Sequence, residues 1–255
     1  MQKLFLRRGL LSSITAMAVV IGLSACETLT LNDGLEVAAH LVPAVLVTDD
    51  QIIEFSRAGV AEQDQKHQVA AAQSPYHRRL MAITQHKTLI DGHQLNYKVY
   101  LSDTINAFAA PDGSIRVFSG LMDHLNDDEL AFVIGHEIGH VVRGHSQQQF
   151  RAASLTSGGR RLLGVASQGA LRDYATSDLG QFVELMIRGQ FSQAHEHEAD
   201  DYGLQMLRRF NRPPTAAASA LDTLASFSQS TSMIEQMIAS HPEPRQRAAR
   251  IRARL

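Results

Sequence analysis

The chain has 255 residues, a formal net charge of −2 and a sequence pI near 6.6. A nearly neutral chain without a basic, aromatic-rich stretch excludes nucleic acid as a general partner. Its hydrophobic content of 44% is enough for a packed core, and its single Cys excludes a disulfide within the chain. Any tightly bound transition metal would therefore use His and carboxylate side chains.

The first 25 residues have the pattern of a signal peptide, because a basic start is followed by the apolar stretch Leu10–Leu23. That stretch is too short to favour a membrane-spanning helix. It ends in Leu23-Ser24-Ala25-Cys26, which resembles a bacterial lipobox and implies cleavage before Cys26 and acylation of that residue. An ordinary signal peptide with a free Cys is the alternative. Glu27 after the Cys, in place of Asp, favours sorting to the outer membrane.

These features predict three parts of the chain. We expect a lipoprotein signal peptide at residues 1–25, a lipidated tether at 26–48 and one folded domain at 49–255. The acyl chains would hold the protein on the bacterial outer membrane with its domain facing the periplasm. Beyond the signal peptide the sequence has no stretch of about 18 uncharged apolar residues, so we predict no transmembrane helix in the mature chain.

The predicted elements of the domain follow in chain order. Helical periodicity predicts helices at residues 49–72 and 77–89, and Asp91-Gly92 predicts a turn. Alternation predicts strands at 97–101 and 114–118, and the Pro-Asp-Gly turn at 111–113 makes residues 106–118 a predicted β-hairpin. Further helices are predicted at residues 120–124, 129–142, 182–209, 215–227 and 233–238. The Gly-, Ala- and Ser-rich region 152–180 is predicted to be a mobile lid or plug, with an ordinary surface excursion as the alternative.

The helix at 129–142 carries the most informative pattern, His136-Glu137-Ile138-Gly139-His140. Residues i and i+4 share one helix face, so the two imidazoles can bind one zinc ion. Glu137 lies beside that face and can act as a general base toward water. Asn126 or Asp127 is the predicted N-cap. The alternative, a buried helix whose histidines bind backbone carbonyls, does not explain Glu137.

Small residues at 135 and 139 would let a strand or a substrate approach this helix closely. A zinc ion bound by two histidines needs a third protein ligand, and Glu196 is the strongest candidate. Asp200 lies one turn later on the same face, where it can accept a hydrogen bond from a ligand imidazole. The competing candidates are His195, His197 and Glu198.

Several motifs together resemble the zinc metallopeptidase family that includes HtpX and the CAAX prenyl proteases. They are Asn106-Ala-Phe-Ala, His136–His140, Ser192–Asp200, and Ser240-His241-Pro242 followed by Arg247 and Ile251. The lipobox makes the chain most similar to outer-membrane lipoproteins of that family. The resemblance implies an α+β, mostly helical gluzincin fold with a small β-sheet over the zinc-binding helix.

The resemblance also implies roles for individual residues. His136, His140 and Glu196 would bind one Zn²⁺ per chain, with Glu137 as the base and Asp200 supporting a ligand. His241 would stabilise an oxyanion, contact substrate or bind the zinc as a fourth ligand in a resting state. The strand residues Asn106, Ala107, Phe108 and Ala109 would hold an extended substrate. We expect His124 and His145 to be surface residues outside the site.

These roles predict a zinc-dependent endopeptidase of the bacterial cell envelope that cleaves unfolded or misassembled envelope proteins. Its expected partners are such substrates, the membrane through the lipid anchor, and outer-membrane assembly or protease partners. A non-catalytic, zinc-stabilised chaperone or assembly lipoprotein is the first alternative. A metal-dependent hydrolase of non-peptide bonds is the second.

Overall fold

The computed structural model describes residues 48–154, 189–227 and 232–255. The predicted signal peptide, Cys26 with its tether, and most of the predicted lid lie outside the described residues, as does the beginning of the helix predicted at 182–209. None of the helices in the three described ranges is both long enough and apolar enough to cross a bilayer.

The described chain is mostly helical with a small sheet, which confirms the predicted fold class. Its elements are α1 (Asp49–Lys66), α2 (Pro75–Ile83), β1 (Leu89–Ile90), β2 (His93–Gln94), β3 (Asn96–Tyr100), β4 (Ala107–Ala109), β5 (Ser114–Phe118), α3 (Ser119–His124), α4 (Asp127–Val142), α5 (His145–Ser154), α6 (Gln193–Arg209), α7 (Ala216–Phe227), a 3-10 turn (Ser232–Ile234), α8 (Glu235–Ser240) and α9 (Pro244–Arg252).

The sheet has the strand order β3-β5-β4, with β3 parallel and β4 antiparallel to β5. The β4–β5 pair is the hairpin that the sequence predicts, with Ala107 opposite Val117. The far side of β3 is covered by residues 68–70, where the Ala70 N–H donates to the Val99 carbonyl at 2.9 Å. Within the described chain β4 is therefore the strand with a free outer edge.

Helix α4 runs through the centre of the core, with every residue from Glu129 to Val141 buried. Its N-cap is Asn126, whose side chain accepts hydrogen bonds from the N–H groups of Asp128 and Glu129 at 3.0 Å. The Glu129 carboxylate in turn accepts from the Asn126 N–H at 3.0 Å. This capping box fixes where α4 begins, and hence which of its residues face the site.

The small residues of α4 lie against α6. A Cβ on Gly139 would lie 3.1 Å from Ala199 Cα, and one on Gly135 would lie 3.1 Å from Gly203 Cα. The expectation that a strand or substrate approaches here is wrong, because the neighbouring backbone is that of a helix. The glycines allow α4 and α6 to pack closely against each other.

Two predicted helices end early. Helix α1 stops at Lys66 instead of residue 72, because residues 68–70 form hydrogen bonds beside β3. Helix α2 stops at Ile83 instead of residue 89, and Gln85 and His86 then take left-handed φ values of 52° and 55°. Helices α5 and α9 were not predicted from the sequence.

Helix α1 is attached to the sheet through Asp64. Its carboxylate accepts two hydrogen bonds from Arg116, at 2.8 and 3.0 Å, and one each from Lys98 at 2.8 Å and Tyr100 at 2.7 Å. The Arg116 side chain is only 2% exposed. Burial acts to raise the pKa of Asp64, but the hydrogen bonds from Arg116, Lys98 and Tyr100 outweigh it and hold that pKa below its ordinary value.

Candidate metal centre

The imidazoles of His136 and His140 converge as their spacing predicts. Their Nε2 atoms are 3.0 Å apart, and both residues are buried. Burial lowers the pKa of His140 well below its ordinary value, although Glu196 opposes this effect. A neutral imidazole has a free nitrogen lone pair, which is what a metal ligand requires.

Glu196 and His241 complete a cluster of four buried donor side chains. The Glu196 Oε1 atom lies 3.3 Å from His140 Nε2, and the same oxygen lies 3.0 Å from His241 Nδ1. His241 Nδ1 is also 3.3 Å from His136 Nε2. One donor atom from each of these four residues lies within 4.8 Å of the other three. Of the four candidates for a third ligand, which are His195, Glu196, His197 and Glu198, it is Glu196 that joins the pair in this cluster.

The spacing of these atoms fits a tetrahedral zinc ion. Two donors each about 2.0–2.1 Å from such an ion lie about 3.4 Å apart. The five measured separations between His136, His140, Glu196 and His241 run from 3.0 to 3.7 Å. The donor set therefore fits a divalent transition metal.

The charges around the cluster also fit a cation. Glu137, Glu196 and Asp200 are each at most 1% exposed, and the permanently charged guanidinium of Arg247 acts on all three. Burial acts to raise the pKa of Glu196, but the charges of His241 and Arg247 hold it well below its ordinary value. Buried negative charge in excess is costly unless a cation compensates for it.

Asp200 and Arg247 form a second layer behind His136. The Asp200 Oδ1 atom accepts a hydrogen bond from His136 Nδ1 at 3.0 Å, as predicted for a carboxylate that orients a ligand. Arg247 donates to both oxygens of Asp200, at 2.9 and 2.6 Å, and forms a close ion pair with Glu196. Burial acts to raise the pKa of Asp200, but Arg247 outweighs it and brings that pKa to about 2. The sequence marks Arg247 only as a motif position.

Glu137 lies beside the cluster without belonging to it. Its side chain is 1% exposed, and its Oε1 atom has no hydrogen-bond partner among residues 48–154, 189–227 and 232–255. His241 Nε2 lies 3.6 Å from this oxygen. A buried carboxylate oxygen without a partner is free to accept a proton from a molecule in the site.

The position of His145 overturns an expectation. The residue is 2% exposed, and its Nδ1 atom is 3.2 Å from His140 Nδ1, on the side of the His140 ring that faces away from the cluster. Its Nε2 atom is 3.3 Å from a carboxylate oxygen of Glu198. His145 is therefore buried behind a ligand and not a surface residue. His124 is exposed, as expected.

Strand β4 presents alternate residues to its free edge. The Asn106 carbonyl accepts a hydrogen bond from the Phe118 N–H at 3.0 Å. Asn106 and Phe108 therefore direct their backbone groups toward β5. The backbone groups of Ala107 and Ala109 then face outward, and the Ala109 carbonyl accepts from the Ser146 hydroxyl at 3.3 Å. The side-chain amide of Asn106 is buried and has no hydrogen-bond partner in the described ranges.

A mainly apolar pocket adjoins the other side of the cluster. It lies between α4, α7 and α8 and reaches the imidazoles of His136 and His241. Its apolar walls include Phe132, Val133, Leu221, Leu224 and Met237. Its cavity of about 20 Å³ has room for about one water molecule.

Comparisons with known proteins agree with this geometry. The model of peptidase family M48 matches residues 67–255. The chain is 35% identical to metalloprotease LoiP of Escherichia coli K12 over 243 residues, or 95% of each protein. It is 33% identical to metalloprotease YcaL of the same organism over 249 residues, or 96% of each protein. It is also 35% identical to the E. coli β-barrel assembly-enhancing protease over 161 residues, which are 60% of this chain and 33% of that protein.

Proposed function

The chain belongs to peptidase family M48 and is a metalloendopeptidase, and from this premise we propose that it is a zinc protease of the bacterial cell envelope that cleaves unfolded or misassembled proteins. The observation that carries the proposal is the convergence of His136, His140 and Glu196 beside the unpartnered carboxylate of Glu137. Two imidazoles and one carboxylate are a ligand set typical of catalytic zinc.

The residues of the site divide the chemistry between them. When bound, zinc supplies Lewis acidity toward the scissile carbonyl and toward water. Glu137 accepts the proton of the attacking water and then delivers it to the leaving amine. Asp200 keeps the Nδ1 proton on His136, so that Nε2 remains the ligand atom.

His241 is proposed to be the fourth ligand of a resting state. Its Nδ1 atom lies among the donor atoms, and its Nε2 atom faces Glu137. Substrate and water would displace it during turnover. In the Co²⁺-substituted protein, His241→Ala should therefore change the visible absorption spectrum, since one nitrogen ligand is lost. An identical spectrum in the variant would leave His241 with only a substrate-contacting or oxyanion-stabilising role.

The edge of β4 supports a polypeptide substrate. Ala107 and Ala109 offer outward-facing backbone groups to which an extended chain can bind as an added strand. Main-chain hydrogen bonds favour any extended segment over one exact sequence.

The envelope location is supported by the lipobox at Cys26 and by the relatives. One relative is named as a β-barrel assembly-enhancing protease. We therefore propose that the assembly or protease partners of this chain act on β-barrel proteins. The lipid anchor at Cys26 would hold the protein on the outer membrane with its domain in the periplasm. Growth in labelled palmitate, followed by comparison with Cys26→Ser, tests the anchor. Equal labelling of both proteins would contradict it.

The activity is tested with Glu137→Gln. The amide keeps the shape of the side chain but cannot accept the proton, so casein cleavage should fall about 100-fold or more while one zinc stays bound per chain. Glu54→Gln, the same change at an exposed position of α1, is the control and should leave both quantities unchanged. Undiminished cleavage by Glu137→Gln would remove Glu137 from the mechanism. Zinc binding without any cleavage by the wild-type protein would favour the chaperone alternative.

A further inference from the structure

His140 has a hydrogen-bonding partner that differs from the partner of His136. His136 Nδ1 contacts a carboxylate, whereas His140 Nδ1 contacts the imidazole of His145 at 3.2 Å. His145 then reaches Glu198 at 3.3 Å, and the Glu198 side chain is 57% exposed. We infer that His145 and Glu198 are positioning residues that orient His140 through a hydrogen-bonded chain leading from the metal site to solvent. The inference rests on the proposed metal site.

One constraint determines which ring nitrogen carries the proton in each imidazole of this hydrogen-bonded chain. If His140 Nε2 donates its lone pair to the metal, the proton of this neutral imidazole lies on Nδ1. His140 Nδ1 then donates to His145 Nδ1, which must accept. The proton of His145 therefore lies on Nε2, from which it is donated to Glu198. Each tautomer is determined by the one before it, and the chain ends on a carboxylate that can only accept.

Local structure places His145 for this role. Helix α4 ends at Val142 with Arg143 as its C-cap, and Gly144 takes a left-handed φ of 71° in the turn before α5 begins at His145. Glycine adopts this conformation without the steric cost that other residues pay. The turn brings His145 back against the ligand that lies five residues earlier.

Aromatic contacts hold both rings in their planes. Phe191 stacks on His140 with ring centroids 3.8 Å apart, and His195 stacks on His145 with centroids 4.2 Å apart. The two stacked faces leave the ring edges for hydrogen bonds. His145 is not a fifth ligand candidate, because it contacts the Nδ1 edge of His140 while the cluster lies at the Nε2 edge.

The test measures zinc affinity by competition with a chromogenic chelator, using purified full-length protein. His145→Leu removes the acceptor and should weaken zinc binding about 10- to 100-fold. His145→Asn keeps an acceptor at the position of Nδ1 and should stay within about threefold of wild type. Glu198→Ala should weaken binding by less than His145→Leu, since Glu198 is exposed. His77→Leu, the same change on α2 away from the site, is the control, with unchanged affinity expected.

If His145→Leu and His145→Asn weaken zinc binding equally, the inference is overturned. His145 would then contribute packing and not a hydrogen-bond acceptor. Unchanged zinc affinity in His145→Leu would also overturn the inference. If the Leu variant does not fold, ¹⁵N NMR of the His side chains in the zinc-loaded wild type decides the matter. We expect the proton of His145 on Nε2, and a proton on its Nδ1 would contradict the chain. A wild type that binds no zinc would instead refute the proposed function.

Discussion

Arg247 joins two buried carboxylates with one planar side chain. Its guanidinium donates to both oxygens of Asp200 and pairs with Glu196, so it holds the ligand Glu196 and the orienting residue Asp200 in one arrangement. A Lys side chain carries the same charge but has a single ammonium group and cannot make this forked contact. The geometry of the site should therefore depend on an Arg at this position.

Arg247→Lys should lower the free energy of unfolding of the metal-free protein by about 2–4 kcal/mol, since a buried carboxylate loses its partner. Arg250→Lys is a matched control on the same helix, because Arg250 forms a similar forked pair with Asp201 that is partly exposed. The control should cost less than about 1 kcal/mol. Urea unfolding in the presence of a chelator measures both values, and equal losses would contradict the role given to Arg247.

Sequence reasoning finds residues whose spacing along one helix places them on the same face. His136 with His140, and Glu196 with Asp200, are each separated by one helical turn, so periodicity alone brings each pair to one face. His145 was missed because its position depends on the turn at Gly144, which helical phase does not describe. Arg247 contacts His136 across 111 residues, a separation that no local pattern reports.

At the scale of elements, the approach of α4 to α6 sets the distance between the metal ligands. Gly139 lies opposite Ala199, one turn from Glu196, whereas Gly135 lies opposite Gly203, two turns away. Helix propensity alone would make Ala more stable than Gly by about 1 kcal/mol at either position. Close packing opposes this gain, because an added methyl group would lie 3.0–3.1 Å from carbon atoms of α6, which would have to move by a few tenths of an ångström.

Gly139→Ala should push the Glu196 end of α6 away from α4 and weaken zinc binding about tenfold or more. Both this variant and Gly135→Ala should lower the free energy of unfolding by about 1–3 kcal/mol. Gly135→Ala should nevertheless leave the zinc affinity much nearer to that of the wild type. Chelator competition and urea unfolding on both variants separate the two effects. A stabilised Gly139→Ala protein with unchanged affinity would show that the helices have room to adjust.

Periodicity predicted the existence of most helices better than their ends. The predicted helices at 49–72 and 77–89 end at Lys66 and Ile83, because backbone pairing beside β3 and in the β1–β2 ladder takes the residues that follow. The hairpin at 106–118 was predicted well, since Pro111-Asp112-Gly113 is a strong turn signal. The parallel pairing of β3 with β5 depends on contacts that alternation in one strand cannot indicate.

For the molecule as a whole, the attachment of α1 to the sheet depends on the ionised form of Asp64. The folded state lowers the pKa of this carboxyl, so between the folded and unfolded pKa values the unfolded chain binds more protons. The stabilisation is therefore complete above about pH 5 and is lost as pH falls through the lowered pKa.

Asp64→Asn should lower the free energy of unfolding at pH 7 by about 2–3 kcal/mol, because Arg116 remains buried without its carboxylate. The difference from wild type should shrink as pH falls from about 5 to 3, where the wild-type carboxyl is also protonated. Asp222→Asn, which breaks an exposed pair with Arg252, should cost less than about 0.5 kcal/mol. A gap between wild type and Asp64→Asn that stays constant with pH would refute the argument.

The location of Arg247 in α9 also restricts when the enzyme can become active. Glu137, Glu196 and Asp200 place three acidic groups in the interior, and Arg247 of α9 supplies their counter-charge. The site is therefore complete only when α9 has packed against it. A partly folded molecule would be a poor enzyme, which limits the damage that newly made copies can do to one another.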